Sequence, residues 1–97
     1  MASLKDLSKI LREHKNDFQG KYKVSEIGIF GSHVRKEQKA DSDVDILVEF
    51  DEAPDLFTFI EFEEYLERLL NTKVDLVQKK ALRPQLKKNI LEEVVYV

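Results

Sequence analysis

GSHVRKEQKADSDVDILV, residues 31–48, decides how this chain is read. A Gly-Ser pair, Gly31 and Ser32, follows an apolar run and opens what reads as a short helix, a position where backbone N–H groups can hold a phosphate. Arg35 follows on that helix. Asp43 and Asp45 then stand two apart, and on a β-strand such residues point to the same face. Hard oxygen ligands gathered in this way suit Mg²⁺, which commonly binds through one or two carboxylates together with substrate phosphates. A phosphate cradle beside such carboxylates is the equipment of phosphoryl or nucleotidyl transfer.

Working outward, Val44, Ile46, Val48 and Phe50 alternate with Asp43, Asp45, Leu47 and Glu49, the clearest period-two pattern in the chain. One face of that strand is apolar, and the other begins with two carboxylates. Upstream, the β-branched run Val24 to Phe30 reads as a strand ending at Gly31. Leu4, Leu7, Leu11, His14 and Phe18 recur at helical spacing, which predicts one helix capped by Ser3 and stopped at Gly20. A short helix is expected from Ser32 to about Gln38, and a loop from Asp51 to Asp55 around Pro54. Downstream, Leu56, Phe59, Ile60, Phe62, Leu66, Leu69 and Leu70 form the inner face of an amphipathic helix closing near Asn71. Lys73 to Gln78 is a third strand carrying Asp75. Pro84 suits the first turn of a final helix with Leu86, Ile90, Leu91 and Val94 inside. The order αβαβαβα predicts an α/β (α+β) fold, a small mixed sheet of about three strands flanked by helices, with residues 1–97 as one domain.

Composition narrows the function. The 97 residues are 42% hydrophobic and 36% charged, a soluble globular balance rich in charge. A net charge of −3 argues against broad electrostatic binding of nucleic acid as the main activity. With no cysteine, disulfides, zinc–thiolate sites and cysteine nucleophiles are excluded. The N-terminal segment lacks the apolar core of a signal peptide, and no stretch approaches the ~20 apolar residues that span a bilayer. The expected location is the cytoplasm.

Asp43 and Asp45 at the mouth of one strand, with Asp75 on another, could surround one or two metal ions. Two metals about 4 Å apart would clamp the attacking and leaving oxygens of an in-line displacement. Asp75 would also help deprotonate the incoming hydroxyl. A bare D-x-D also fits a turn cap followed by a solvated strand residue, with Asp75 on an exposed face. The Gly-Ser turn, the arginine and the third aspartate together favour the metal reading. A rival is an EF-hand calcium loop with Asp41, Asp43, Asp45 and Glu52 at positions one, three, five and twelve. Ile46 stands where that loop requires glycine, and Ile46 to Phe50 is too β-like for it. His33 reads as a bystander, and His14 as a satisfied interfacial histidine. Lys79, Lys80, Arg83, Lys87 and Lys88 read as a solvated helix face. Phe57, Phe59, Phe62 and Tyr65 read mostly as core, any left exposed forming a partner patch.

On these residues the chain resembles the minimal nucleotidyltransferases of the DNA polymerase β-like superfamily, whose signature is G-S-x-x-R-G-x-x-x-x-x-S-D-x-D-[LI]-x-V. Here it is carried by Gly31, Ser32, Arg35, Ser42, Asp43, Asp45, Ile46 and Val48, with Asp75 as the later carboxylate. One departure is Lys36, where glycine is usual. The resemblance implies a palm-type fold and transfer of a nucleoside monophosphate from a Mg²⁺-bound triphosphate to a hydroxyl. Gly31 and Ser32 would hold the triphosphate, with Ser42 in the same binding segment. Arg35 would either charge-stabilise the phosphates or fix the loop through an ion pair, the plain reading being a surface arginine. Asp43, Asp45 and Asp75 would be catalytic and metal-binding. Such proteins pair with HEPN-type RNase toxins, acting as antitoxins that add AMP from ATP to a toxin tyrosine. Other readings are an antitoxin that works by occlusion alone, or a transferase acting on RNA or a small alcohol. Self-association is left open.

Overall fold

The structure, a computed structural model, describes residues 3–39 and 42–97. Strands β1 (Val24–Phe30) and β2 (Val44–Phe50) pair antiparallel at its centre. Beside β2 runs β3 (Val74–Gln78) in parallel, and beside β1 runs β4 (Val95–Tyr96) antiparallel, so the sheet is mixed with order β3-β2-β1-β4. Among the described residues, five α-helices accompany it, α1 (Leu4–Glu13), α2 (Lys15–Tyr22), α3 (Ser32–Arg35), α4 (Leu56–Leu70) and α5 (Pro84–Glu93), with a 3₁₀ turn at Lys79–Ala81. The mixed α+β architecture is the one the sequence predicts. The fourth strand is additional, because two residues are too few to show alternation.

One sheet face carries Ile27, Ile29, Val44, Ile46 and Val48, packed against Leu7, Leu11, Phe18, Phe62 and Leu66 from the helices. Alternation turns Phe30, Asp45, Leu47 and Asp75 to the opposite face. Leu47 is also buried, so that face is not simply polar.

The first helix differs from its expected form. It breaks at His14, whose N–H bonds to Leu11 O three residues back at 3.2 Å, while its Nδ1 meets Ile10 O at 2.9 Å. Tightening from i−4 to i−3 ends the α ladder, as at many helix termini. The satisfied histidine is as expected. Gly20 lies inside α2, and the stop is Lys23, left-handed at φ 61°. Phe18 stays fully buried because α2 resumes on the same core.

Two other inner faces are narrower than their periodicity predicts. Leu56 is 68% exposed, Phe57 83% and Ile60 41%, since the first turns of α4 project past the core. Phe59 and Tyr65 pack against the core partly buried, and Phe62 fully. In α5 no residue is fully buried: Ile90 and Leu91 are half-buried, and Leu86 is 51% exposed. Beside a two-residue edge strand there is little sheet for α5 to cover. Among the described residues, no helix is long and apolar enough to cross a membrane.

Phe62 is the centre of the aromatic cluster, with ring centroids 5.3 Å from Phe18, 4.7 Å from Tyr22 and 6.0 Å from Phe50. Urea unfolding of Phe62→Ala is expected to show a loss of about 3–5 kcal/mol. Phe57→Ala, on the exposed turn, is expected to stay within ~0.5 kcal/mol of the parent.

Candidate functional site

The parallel register of β2 and β3 places Asp45 opposite Asp75. Residues opposite one another on adjacent strands share a face at a strand spacing of about 4.8 Å. Asp43 is exposed one residue before β2, and Asp45 is half-buried. Burial, then the charges of Asp75 and Asp43, push the Asp45 carboxyl up from 3.8 to about 6, against an opposing pull from Arg35.

The Gly-Ser turn lies directly over that carboxylate. Phe30 pairs with Asp45 in the β1–β2 register, so the chain leaving β1 passes above the Asp45 side chain. Gly31 has φ +82°, and a Cβ added there would collide with Asp45 Oδ2. Glycine is thus required twice, by conformation and by space. After it, Ser32 opens α3, whose first N–H groups have no preceding turn to serve them. The single turn ends at Lys36, left-handed at φ 60°. That geometry explains why glycine is usual at this position and why lysine is tolerated at some cost.

Arg35 is ion-paired to Glu93 at 2.6 Å and to Glu37 at 3.0 Å, the loop-fixing arrangement, and Glu93 above all holds its guanidinium further in the charged form. Glu93 Oε2 also accepts the Gly31 N–H at 2.8 Å. The Gly31 N–H expected to face phosphate is therefore engaged by a carboxylate, while Ser32 stands at the open end of α3. Ser42 Oγ accepts the Lys39 N–H at 2.8 Å, closing the loop before β2. Sequence spacing does not reveal Glu93, which lies 58 residues from Arg35. His33 is 4% exposed, its Nδ1 has no partner among the described residues, and burial lowers its pKa. It is a packed residue. In the basic cluster, Lys79 pairs with Glu26 at 3.2 Å and Glu49 at 3.7 Å.

Among the described residues, no group of three or more histidine and acidic side chains is arranged to hold a metal ion as it stands. The donor chemistry nevertheless suits a hard cation: burial and the crowding like charges of Asp75, Asp43 and Glu93 raise the Asp45 pKa. The calcium-loop alternative does not survive. Asp41 lies outside the described residues, and Val44 to Phe50 is strand where that loop would turn.

Compared with known proteins, residues 11–97 match the model of the nucleotidyltransferase domain family. The chain belongs to that family. Among its relatives, the protein adenylyltransferase MntA of Thermococcus cleftensis is 54% identical over 97 residues, covering 100% of this chain and 98% of its own. A solved minimal nucleotidyltransferase superposes with a TM-score of 0.80 at 32% identity, covering 97% of this chain and 95% of its own. A toxin–antitoxin crystal structure with AMP-PNP gives a TM-score of 0.68 at 26% identity, covering 91% of this chain and 66% of its own. Membership of the nucleotidyltransferases is what the residues from Gly31 to Val48 lead one to expect.

Because the Asp45 pKa is raised on folding, the native state binds the extra proton, and stability falls as pH rises from about 4 to about 6. Asp45→Asn removes the charge that is unfavourable above that window. Thermal melts of the metal-free protein are expected to show Asp45→Asn more stable near pH 7.5, with the advantage gone by about pH 4. Relief of the left-handed strain at Lys36 is expected to make Lys36→Gly about 0.5–1 kcal/mol more stable in urea titrations.

Proposed function

We propose that this nucleotidyltransferase transfers AMP from ATP to a hydroxyl of a partner protein, a tyrosine of a HEPN-type RNase toxin, and acts as the antitoxin of that pair in the cytoplasm. The observation that carries the reading is the Gly31 turn packed on the Asp45 carboxylate, with Asp75 beside it in register. The 54% identical relative is named a protein adenylyltransferase, and a related toxin–antitoxin structure contains AMP-PNP, which supports both the chemistry and the setting.

In this scheme the Ser32 hydroxyl and the first N–H groups of α3 receive the triphosphate. Asp43, Asp45 and Asp75 are the residues that would hold Mg²⁺, which when bound neutralises the triphosphate and activates it as a Lewis acid. The acceptor oxygen forms a bond to the α-phosphorus, the α–β phosphoanhydride breaks, and pyrophosphate leaves with the electron pair. The hydroxyl proton passes to Asp75, which is exposed and open to an incoming side chain. Residues 1–97 act as one catalytic domain, with the acceptor supplied by the partner.

Occlusion remains the second reading, favoured by the exposed Leu56, Phe57 and Ile60. Intact mass spectrometry of a HEPN-type protein that binds this chain, after incubation with it, ATP and Mg²⁺, separates the two. Mass increments of whole AMP units are expected with the native chain and not with Asp43→Ala/Asp45→Ala. A partner that is bound and silenced but never gains mass would establish occlusion instead.

A further inference from the structure

Glu93 reaches from the last residue of α5 to both ends of α3. Its Oε2 accepts the Gly31 N–H at 2.8 Å and its Oε1 accepts Arg35 Nη1 at 2.6 Å. The Glu93 side chain is only 19% exposed. Bridged between them, α3 is a four-residue turn with no side-chain N-cap. A helix that short does not hold itself, since nucleation is unfavourable without tertiary ties. Glu93 supplies such a tie, and Arg35 neutralises it, so the anchor sets no uncompensated negative charge against an incoming phosphate.

The seat of Glu93 is set in turn by β4. Val95 and Tyr96 pair with Ile29 and Gly28, and the Val97 N–H reaches Ile27 O at 3.0 Å. At Gly28 an added Cβ would lie 2.8 Å from Val94 Cγ2, 2.9 Å from Val95 O and 3.2 Å from Tyr96 Cα. Glycine is therefore what lets the C-terminal strand close onto β1. With α5 holding no buried residue, that contact is the main fixture of the segment bearing Glu93.

We propose that Glu93 is a positioning residue of the transfer site, holding the Gly31–Ser32 turn and Arg35 in the geometry that receives the triphosphate, and that β4, seated on Gly28, sets it there. This rests on the reading of the turn as the phosphate site. No part of the clamp touches the reacting atoms. It acts through the backbone of the turn and through Arg35.

The test measures AMP-PNP binding with Mg²⁺ by titration calorimetry, and Gly31 amide hydrogen exchange by NMR, on the full chain. Glu93→Ala is expected to weaken AMP-PNP roughly tenfold and to raise the KM for ATP more than it lowers kcat. Glu93→Gln keeps an acceptor for the Gly31 N–H and is expected to recover most of the loss. Gly28→Ala, remote from the carboxylates, is expected to reproduce the Glu93→Ala effect, and the double variant to be no worse than either. The Gly31 amide should exchange slowly in the wild type and in Glu93→Gln, and quickly in the other two, with β2 amides protected throughout. Unchanged affinity in a folded Glu93→Ala, or a fast Gly31 amide in the wild type, overturns the clamp. A wild type with a slow Gly31 amide that binds no AMP-PNP overturns the phosphate reading, and the clamp's role with it.

Discussion

The antiparallel pairing of β1 with β2 sets Phe30 opposite Asp45, and the chain leaving β1 must then turn over a half-buried carboxylate. A turn in that place admits no side chain, which is why Gly31 stands there. The parallel register of β3 adds Asp75 to the same face. Both registers are specified by the apolar residues on the opposite face, since a slip by one residue would send Ile27, Ile29, Ile46 and Val48 out of the core. The hydrophobic pattern thus holds the site's carboxylates in place without contacting them.

Crowding those carboxylates is unfavourable for the fold. Asp45 is partly desolvated and faces Asp75, Asp43 and Glu93, with Arg35 as the opposing charge. The aromatic cluster of Phe18, Tyr22, Phe50 and Phe62 offsets that cost on the other side of the sheet. The sheet thus carries mutually repulsive carboxylates on one face and the apolar packing that holds them there on the other.

Helix α4 does more than cover the core. Glu67 and Glu63, one turn apart, accept the N–H groups of Val74 and Leu76, each at 3.0 Å. Alternate N–H groups of the outermost strand, which would otherwise be unpaired, are thereby satisfied. The same contacts pin β3 on either side of Asp75, so sheet-edge protection and placement of the third carboxylate are one device.

Much of this was legible in the chain itself. Period-two alternation marks β2 and its acidic face, turn chemistry marks Gly31, and helical spacing marks the buried Leu7, Leu11, Phe18, Phe62 and Leu66. These signals are local, carried by residues a few positions apart, and the nucleotidyltransferase motif is itself a local string. The break at His14, the exposure of Leu56 and Phe57, and the two-residue β4 were not legible, because each depends on how far a neighbouring surface extends. The sequence by itself determined β1, β2 and β3, the glycine turn after β1 and the acidic positions on β2 and β3. Only the tertiary structure decided that Asp45 and Asp75 stand side by side and that Glu93 holds Gly31 and Arg35. The reason is physical: strand register and contacts across 58 residues are settled by packing of the whole sheet, which leaves no periodic trace along the chain.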